Sequence, residues 1–429
     1  RRVCIMFNVR KLKLLILTLV LSTTFISSLV VAGETIELSL YYPQAVGGPI
    51  TKLINQMTED FHKDNPNIIV KPVYTGSYAD TMVKSQTAFK ANNPPDMAIL
   101  SSTELFALLD MDMIIPLDNL FSKEYINDFY YGFLENGQTG GKTYSIPFQR
   151  STQIVYYNKD AFKEVGLDPN TPPKNWDEVV EFGKKLTNEE RWGLQIPSTA
   201  YTAWMFQGFA LQNGKNLMSS DGKQVFFDTA ENVEALKYWI DLSKKHEIMP
   251  EGIIDWSTVP SNFLKGNVAM IYHTTGNLAK IRDDAEFEFG TAYLPAGNKG
   301  YGTPVGGGNI YIFKGIGSER EKAAAKFIEY VTQPEITAQW SIDTGYIATR
   351  KSAYKTNKME EYLNKFPQAA TARDQLEYAS ASISTHNNGE IQKILADKIQ
   401  AALNGNLTPE EALKKAQKEA EKSLDIFNN

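Results

Sequence analysis

Residues 37–77 read ELSLYYPQAVGGPITKLINQMTEDFHKDNPNIIVKPVYTGS, and this stretch decides the fold. Leu38, Leu40 and Tyr42 alternate as on a half-buried strand, and Gly47-Gly48-Pro49 then opens a helix. Its apolar residues Ile50, Leu53, Ile54, Met57 and Phe61 recur at helical spacing. Asn65-Pro66-Asn67 ends that helix, and Ile68 to Tyr74 forms a second strand. The pattern repeats: Ala79 to Ala91 reads as a helix, and Asn93-Pro94-Pro95 leads into a short strand from Met97 to Leu100. This βαβα order predicts an α/β protein with mainly parallel sheets flanked by helices. Ligands of such sheets sit outside the carboxyl ends of the strands, so the exits near Tyr42, Tyr74 and Ser101 are where a site is expected.

Working outward, a second region from about Thr152 to Lys280 begins with a strand, Ile154 to Tyr157, and holds an amphipathic helix from Glu231 to His246. No Pro-, Gly- or Ser-rich linker separates the two regions, so they are expected to join by direct strand crossovers. Helices are expected near Arg320 to Thr332 and Thr408 to Ile426. At the other end, Arg10, Lys11 and Lys13 precede an apolar run from Leu14 to Val31 that closes on Val30-Val31-Ala32. That is the pattern of a signal peptide, with Met6 the expected start and cleavage expected after Ala32. An uncleaved anchor is the alternative, because ~18 apolar residues can just span a bilayer. The single cysteine, Cys4, precedes the leader, so the mature chain is expected to hold no disulfide and no cysteine-ligated metal. No cysteine follows the apolar run where a lipoprotein would be acylated.

The formal net charge of −6 argues against a nucleic-acid or anionic-membrane partner. The four histidines, His62, His246, His273 and His386, have no metal-like spacing, so neither a metal nor a cofactor is expected. GxSxG and HExxH are both missing. The many Asp and Glu leave the paired carboxylates of a secreted glycosidase or phosphodiesterase as an alternative.

Several segments carry a family resemblance. Ile146-Pro147-Phe148-Gln149-Arg150-Ser151-Thr152, followed by Val155-Tyr156-Tyr157-Asn158-Lys159-Asp160-Ala161-Phe162, resembles the crossover of extracellular solute-binding proteins of ABC importers, sugar and polyol class. Gly166-Leu167-Asp168-Pro169, Phe263-Leu264-Lys265-Gly266-Asn267-Val268-Ala269-Met270, Gly306-Gly307-Gly308-Asn309 and Thr344-Gly345-Tyr346-Ile347 follow in the family's order. The resemblance implies a two-lobed periplasmic-binding-protein fold: residues 1–32 a signal peptide, 33–148 plus 280–333 an N-terminal lobe, and 149–279 plus 334–429 a C-terminal lobe. It implies a monomer in the periplasm that performs no catalysis and delivers its solute to membrane permease subunits. The likeness is strongest to members that take polyol phosphates such as sn-glycerol 3-phosphate. From them it implies ligand contacts at Tyr78, Ser151, the Gly307-Gly308 backbone, Tyr346 and the loop near Ser102. One departure is visible: where those members aim an arginine at the ligand, this chain has Gln392. An uncharged sugar is therefore the alternative ligand, and Arg150 the candidate replacement cation.

A sugar or polyol phosphate needs planar rings for its C–H faces, hydroxyls and amides for its edges, and a cation only where it is charged. Tyr42, Tyr78, Ser102, Arg150, Ser151, Trp204, His273, Thr274, Thr275, Gly307, Gly308 and Tyr346 are the candidates on that ground. Each also has an ordinary structural reading: Arg150 as an ion-pair partner, Trp204 as helix-face core, His273 as a satisfied structural histidine, the glycines as a turn. Trp176, at a helix start, is assigned to structure.

Overall fold

The computed structural model describes residues 35–428; the expected signal peptide lies outside the described residues. Strand β1 (Ile36–Pro43) buries Leu38, Leu40 and Tyr42 on one face, and helix α1 (Ile50–Asp64) covers it with Ile50, Ile54 and Phe61. Strand β2 (Ile68–Gly76) pairs parallel with β1, Ile36 opposite Ile68, and after helix α2 (Tyr78–Lys90) strand β3 (Met97–Ser101) pairs parallel on its other side. The elements read from sequence are present with ends shifted by one or two residues, except the strand expected at Ile154 to Tyr157, which begins nine residues earlier at Ser145.

Strand β4 (Ser145–Asn158) is buried along all of its 14 residues and runs antiparallel to the later β8 (Thr303–Ile312). Beyond them lie β5 (Trp192–Gln195), β6 (Val268–Thr274) and β7 (Phe289–Ala292), with β5 and β6 parallel. The strands form one continuous sheet in the order β2-β1-β3-β8-β4-β6-β5, with β7 also paired to β4. Its outer pairs are parallel, as βαβ order requires, and its centre is antiparallel because β4 and β8 cross the molecule in opposite senses.

Two large hydrophobic cores form along this sheet. One gathers Leu40, Ile54, Phe61, Phe148, Ile310, Phe327 and Trp340, the other Ile154, Trp239, Leu242, Ile271, Leu294, Leu395 and Leu413. Apart from Phe133, which reaches into the second core from between Phe129 and Leu134 of the first, the chain passes between them three times: Phe148 to Ile154, Val305 to Ile310, and Tyr346 to Ile347. Two segments pack differently from the sequence assignment. Ile281, Phe289 and Leu294 join the second core because β7 pairs with β4 beyond the crossing, and Trp340 and Tyr346 join the first because the third crossing falls at 346–347 instead of 333. All three crossings meet at Arg150, which lies opposite Gly307 and whose carbonyl accepts from the Ile347 N–H at 2.8 Å.

Candidate functional site

A cavity lies where the three crossings meet, enclosing about 560 Å³ of empty space with its mouth included. The first core supplies one wall. Ser77 caps α2 with its hydroxyl, and Asp80 returns a bond to the Ser77 N–H, so the next residue, Tyr78, is held at the start of a fixed helix. The Tyr78 phenol donates to Gln149 Oε1 at 3.0 Å. Ser101, the last residue of β3, and Ser102 and Thr103 just after it lie on the same wall. The Ser102 hydroxyl is buried and has no hydrogen-bond partner within the protein, so it is free to bond a solute.

The opposite wall comes from the second core. Helix α3 (Thr202–Gln212) presents Trp204, whose indole N–H donates to the Val305 carbonyl at 2.8 Å. Tyr201 and Trp256 stand beside it, Trp256 with ring centroids 4.6 Å from Tyr201 and 6.2 Å from Trp204. Ser151, Thr274, Gly306, Gly307 and Tyr346 complete the lining at the seam. Gly307 has φ +87°, and a Cβ there would stand 1.7 Å from the Gln149 carbonyl oxygen, so only glycine fits. Its neighbours lie against aromatic rings: a Cβ on Gly306 or Gly308 would meet Trp204 or Tyr78 at 2.7 and 2.8 Å.

Burial sets the electrostatics. It pushes the Tyr78 and Tyr346 phenols well above their ordinary range and Tyr201 up to about 12, so all three are neutral donors at physiological pH. Among the described residues that line the cavity, none carries a charged side chain. Its polar groups are hydroxyls, the Gln392 amide and backbone.

Of the twelve candidates, Tyr78, Ser102, Ser151, Trp204, Thr274, Gly307 and Tyr346 line this cavity, and Tyr42, Arg150, His273, Thr275 and Gly308 do not. Strand alternation explains two of the misses, Arg150 and His273. Gln149 and Ser151 face the cavity side of β4, which turns Arg150 to the other face. There it is fully buried over the Phe133 ring, with one bond to Asn309 Oδ1 at 3.1 Å, and burial lowers it to about 10. His273 likewise faces away from Thr274 and binds the Trp256 carbonyl. Tyr42 packs in the first core beside Tyr74, Thr275 receives the Thr152 N–H, and Gly308 sits beneath the Tyr78 ring. Thr103, Tyr201, Trp256, Ser382 and Ile383 were missed. Tyr201 stood in the aromatic run around Trp204 and could have been taken with it; Trp256 lies in a turn with no periodic signal.

The two sides also touch beyond the cavity. Ser384 Oγ donates to the Thr103 carbonyl at 2.7 Å, and His386 Nδ1 meets Asp110 Oδ1 at 2.6 Å. The His386 ring lies between Phe106 and Phe427, at 4.9 and 4.7 Å. Among the described residues no helix is long and apolar enough to cross a membrane, and no cluster of potential metal ligands occurs.

Comparison with known proteins places this geometry. The family model of bacterial extracellular solute-binding proteins matches residues 56–367. The sn-glycerol-3-phosphate-binding periplasmic protein UgpB of Escherichia coli (strain K12) is 27% identical over 403 residues, covering 89% of this chain and 91% of the relative. Among solved structures, UgpB from Mycobacterium tuberculosis in complex with glycerophosphocholine superimposes with a TM-score of 0.81 at 24% identity, over 92% of this chain and 100% of that one. The maltose-bound MalE3 of T. maritima does so with a TM-score of 0.80 at 23% identity, over 92% and 100%. These neighbours share the two-lobed binding-protein fold.

Proposed function

The chain belongs to the bacterial extracellular solute-binding protein family, the substrate-binding components of ABC importers, and from that premise we propose that it captures an uncharged polyhydroxyl solute of the sugar and polyol class. The observation that carries this reading is the cavity lining: the Tyr201, Trp204 and Trp256 rings on one wall, Tyr78 and the Ser101, Ser102 and Thr103 hydroxyls on the other, and no charged side chain. Rings bury the weakly polar C–H faces of a sugar, and hydroxyls and amides satisfy its edge donors and acceptors. A desolvated phosphate monoester in the same place would have no cation to pair with, and such unpaired burial is costly. Arg150 does not meet this need, since its side chain lies on the other face of β4.

The second reading is a glycerol phosphate or glycerophosphodiester, favoured by what the relatives named above bind. Its phosphate would rest on neutral donors alone, the Ser101, Ser102 and Thr103 hydroxyls and the glycine-rich backbone, with the Gln392 amide where the resemblance implies an arginine.

In either case the two cores act as lobes, one built from residues up to Phe148 with 308–346, the other from the remainder. They close on the solute by bending at the three crossings, and the ligand shifts the population by its differential affinity for the closed form. The leader directs the chain to the periplasm, where the closed monomer docks on a membrane permease. Native mass spectrometry of protein purified without added ligand, followed by calorimetric titration with maltose, mannobiose, glycerol, sn-glycerol 3-phosphate and glycerophosphocholine, tests the choice. A neutral sugar is expected to bind most tightly. Tight binding of sn-glycerol 3-phosphate with no neutral binder would overturn the reading.

A further inference from the structure

Trp256 lines the cavity although it sits in a turn, between a loop and the short helix Thr258–Leu264, where no ladder of backbone bonds fixes it. Its backbone N–H donates to Thr199 Oγ1 at 2.9 Å, and its carbonyl and ring are held by His273, which is fully buried on β6, the next strand in sequence. The His273 Nε2 lies 3.1 Å from the Trp256 carbonyl oxygen, and the imidazole packs against the indole with centroids 3.9 Å apart. Its other nitrogen, Nδ1, faces the Asn277 amide Nδ2 at 2.8 Å. A carbonyl can only accept, so Nε2 carries the proton and Nδ1 accepts from Asn277: one tautomer satisfies both partners. Burial lowers the imidazole to about 4, which keeps it in this neutral form at physiological pH.

We propose that His273 is a positioning residue for solute binding: through its bond to the Trp256 carbonyl and its contact with the indole, it fixes Trp256 as a rigid stacking face before the solute arrives. This inference rests on the reading that Trp256 stacks on a solute. Adjacent residues of β6 then divide the work. Thr274 faces the cavity directly, and His273, on the reverse side, acts through the neighbouring loop. Fixing a ring in its bound orientation removes an ordering cost that binding would otherwise bear.

The test uses the full chain labelled with 5-fluorotryptophan, with the Trp256 resonance assigned by Trp256→Phe. In the unliganded wild type the Trp256 fluorine is expected to give one narrow line. His273→Phe keeps a ring under the indole but removes the donor, and should broaden or split that line while leaving the Trp239 and Trp340 resonances in place. His273→Gln keeps a donor near the Nε2 position and should recover most of the narrow line. Titration with maltose and with glycerophosphocholine should show His273→Phe weakened about tenfold relative to wild type for whichever binds, with His273→Gln between them, as loss of an ordinary hydrogen bond implies. An unchanged Trp256 line in His273→Phe, or equal affinity in all three proteins, overturns the proposal. If the wild type binds neither probe, the solute reading falls and the fluorine line alone decides the positioning role. Should His273→Phe fail to fold, Asn277→Ala, which releases the far side of the imidazole, replaces it and is expected to broaden the same resonance.

Discussion

The two walls of the cavity are built on different principles. The wall from the first core is a set of strand ends and helix starts: Tyr78 begins a helix locked by the Ser77–Asp80 capping box, and Ser101 to Thr103 run on from the last residue of β3. Local backbone geometry and its caps set where these groups stand, and the Tyr78 phenol adds a bond to Gln149. The wall from the second core is aromatic and is positioned by side chains acting on other side chains and on backbone: Trp204 through its bond to Val305, Trp256 through His273. The comparison teaches that the hydroxyl wall should tolerate loss of one member, whereas the aromatic wall should fail as a unit.

The most severe break is expected from Trp204→Ala. The indole is 9% exposed, so its removal leaves a cavity and should cost about 3–5 kcal/mol in urea unfolding. Ligand binding should be lost with it, since Trp256 packs against the Trp204 ring and Tyr201 in turn against Trp256. A variant that unfolds as the wild type does would show the aromatic wall to be modular after all.

A second test lies behind the hydroxyl wall. Burial raises the Glu104 carboxyl from 4.5 to about 7. Between those two values the native state holds a proton that the unfolded chain releases, so stability should fall as pH rises through that window and level off above it. The differential is on the order of 1–3 kcal/mol. Glu104→Gln should abolish this slope and be the more stable protein at pH 8; parallel pH profiles for the two proteins would refute it.

Ser102→Ala sharpens the comparison most directly. Its hydroxyl has no partner in the protein, so deleting it should leave the melting temperature of the unliganded protein unchanged or raised. Affinity for the solute should nevertheless fall about tenfold by calorimetry, the worth of one hydrogen bond in a desolvated site. A lowered melting temperature would mean the hydroxyl serves the fold. The smallest effect is expected where the walls meet outside the cavity. Asp110 and His386 form a partly exposed pair, and Asp110→Asn should weaken solute binding by no more than about fivefold, the range of a surface ion pair.

The same contrast governs what was legible in the sequence. Tyr78, Ser102 and Gly307 could be read because strand exits, capping residues and glycine runs leave local signatures. Ser151 and Tyr346 came with the family's motifs. Trp256 could not be read, because nothing near it in sequence says that a histidine 17 residues later will hold it in place. Arg150 and His273 were placed on the wrong side for a related reason: residue type suggested a ligand, while the alternation of the strand, which needs the register of Ser151 and Thr274, decided the face. The two cores were expected, but the segments at 280–302 and 334–346 were assigned across the boundary, since pairing of β7 with β4 is a long-range fact.

The triple crossing at Arg150 has a consequence for the integrity of the chain. Because three separate stretches of backbone join the cores, a single protease cut at any one of them leaves the halves connected by two covalent bridges. Such a nicked molecule keeps its topology. Severing them into independent pieces requires three cuts within a buried ribbon, where backbone is least accessible to a protease.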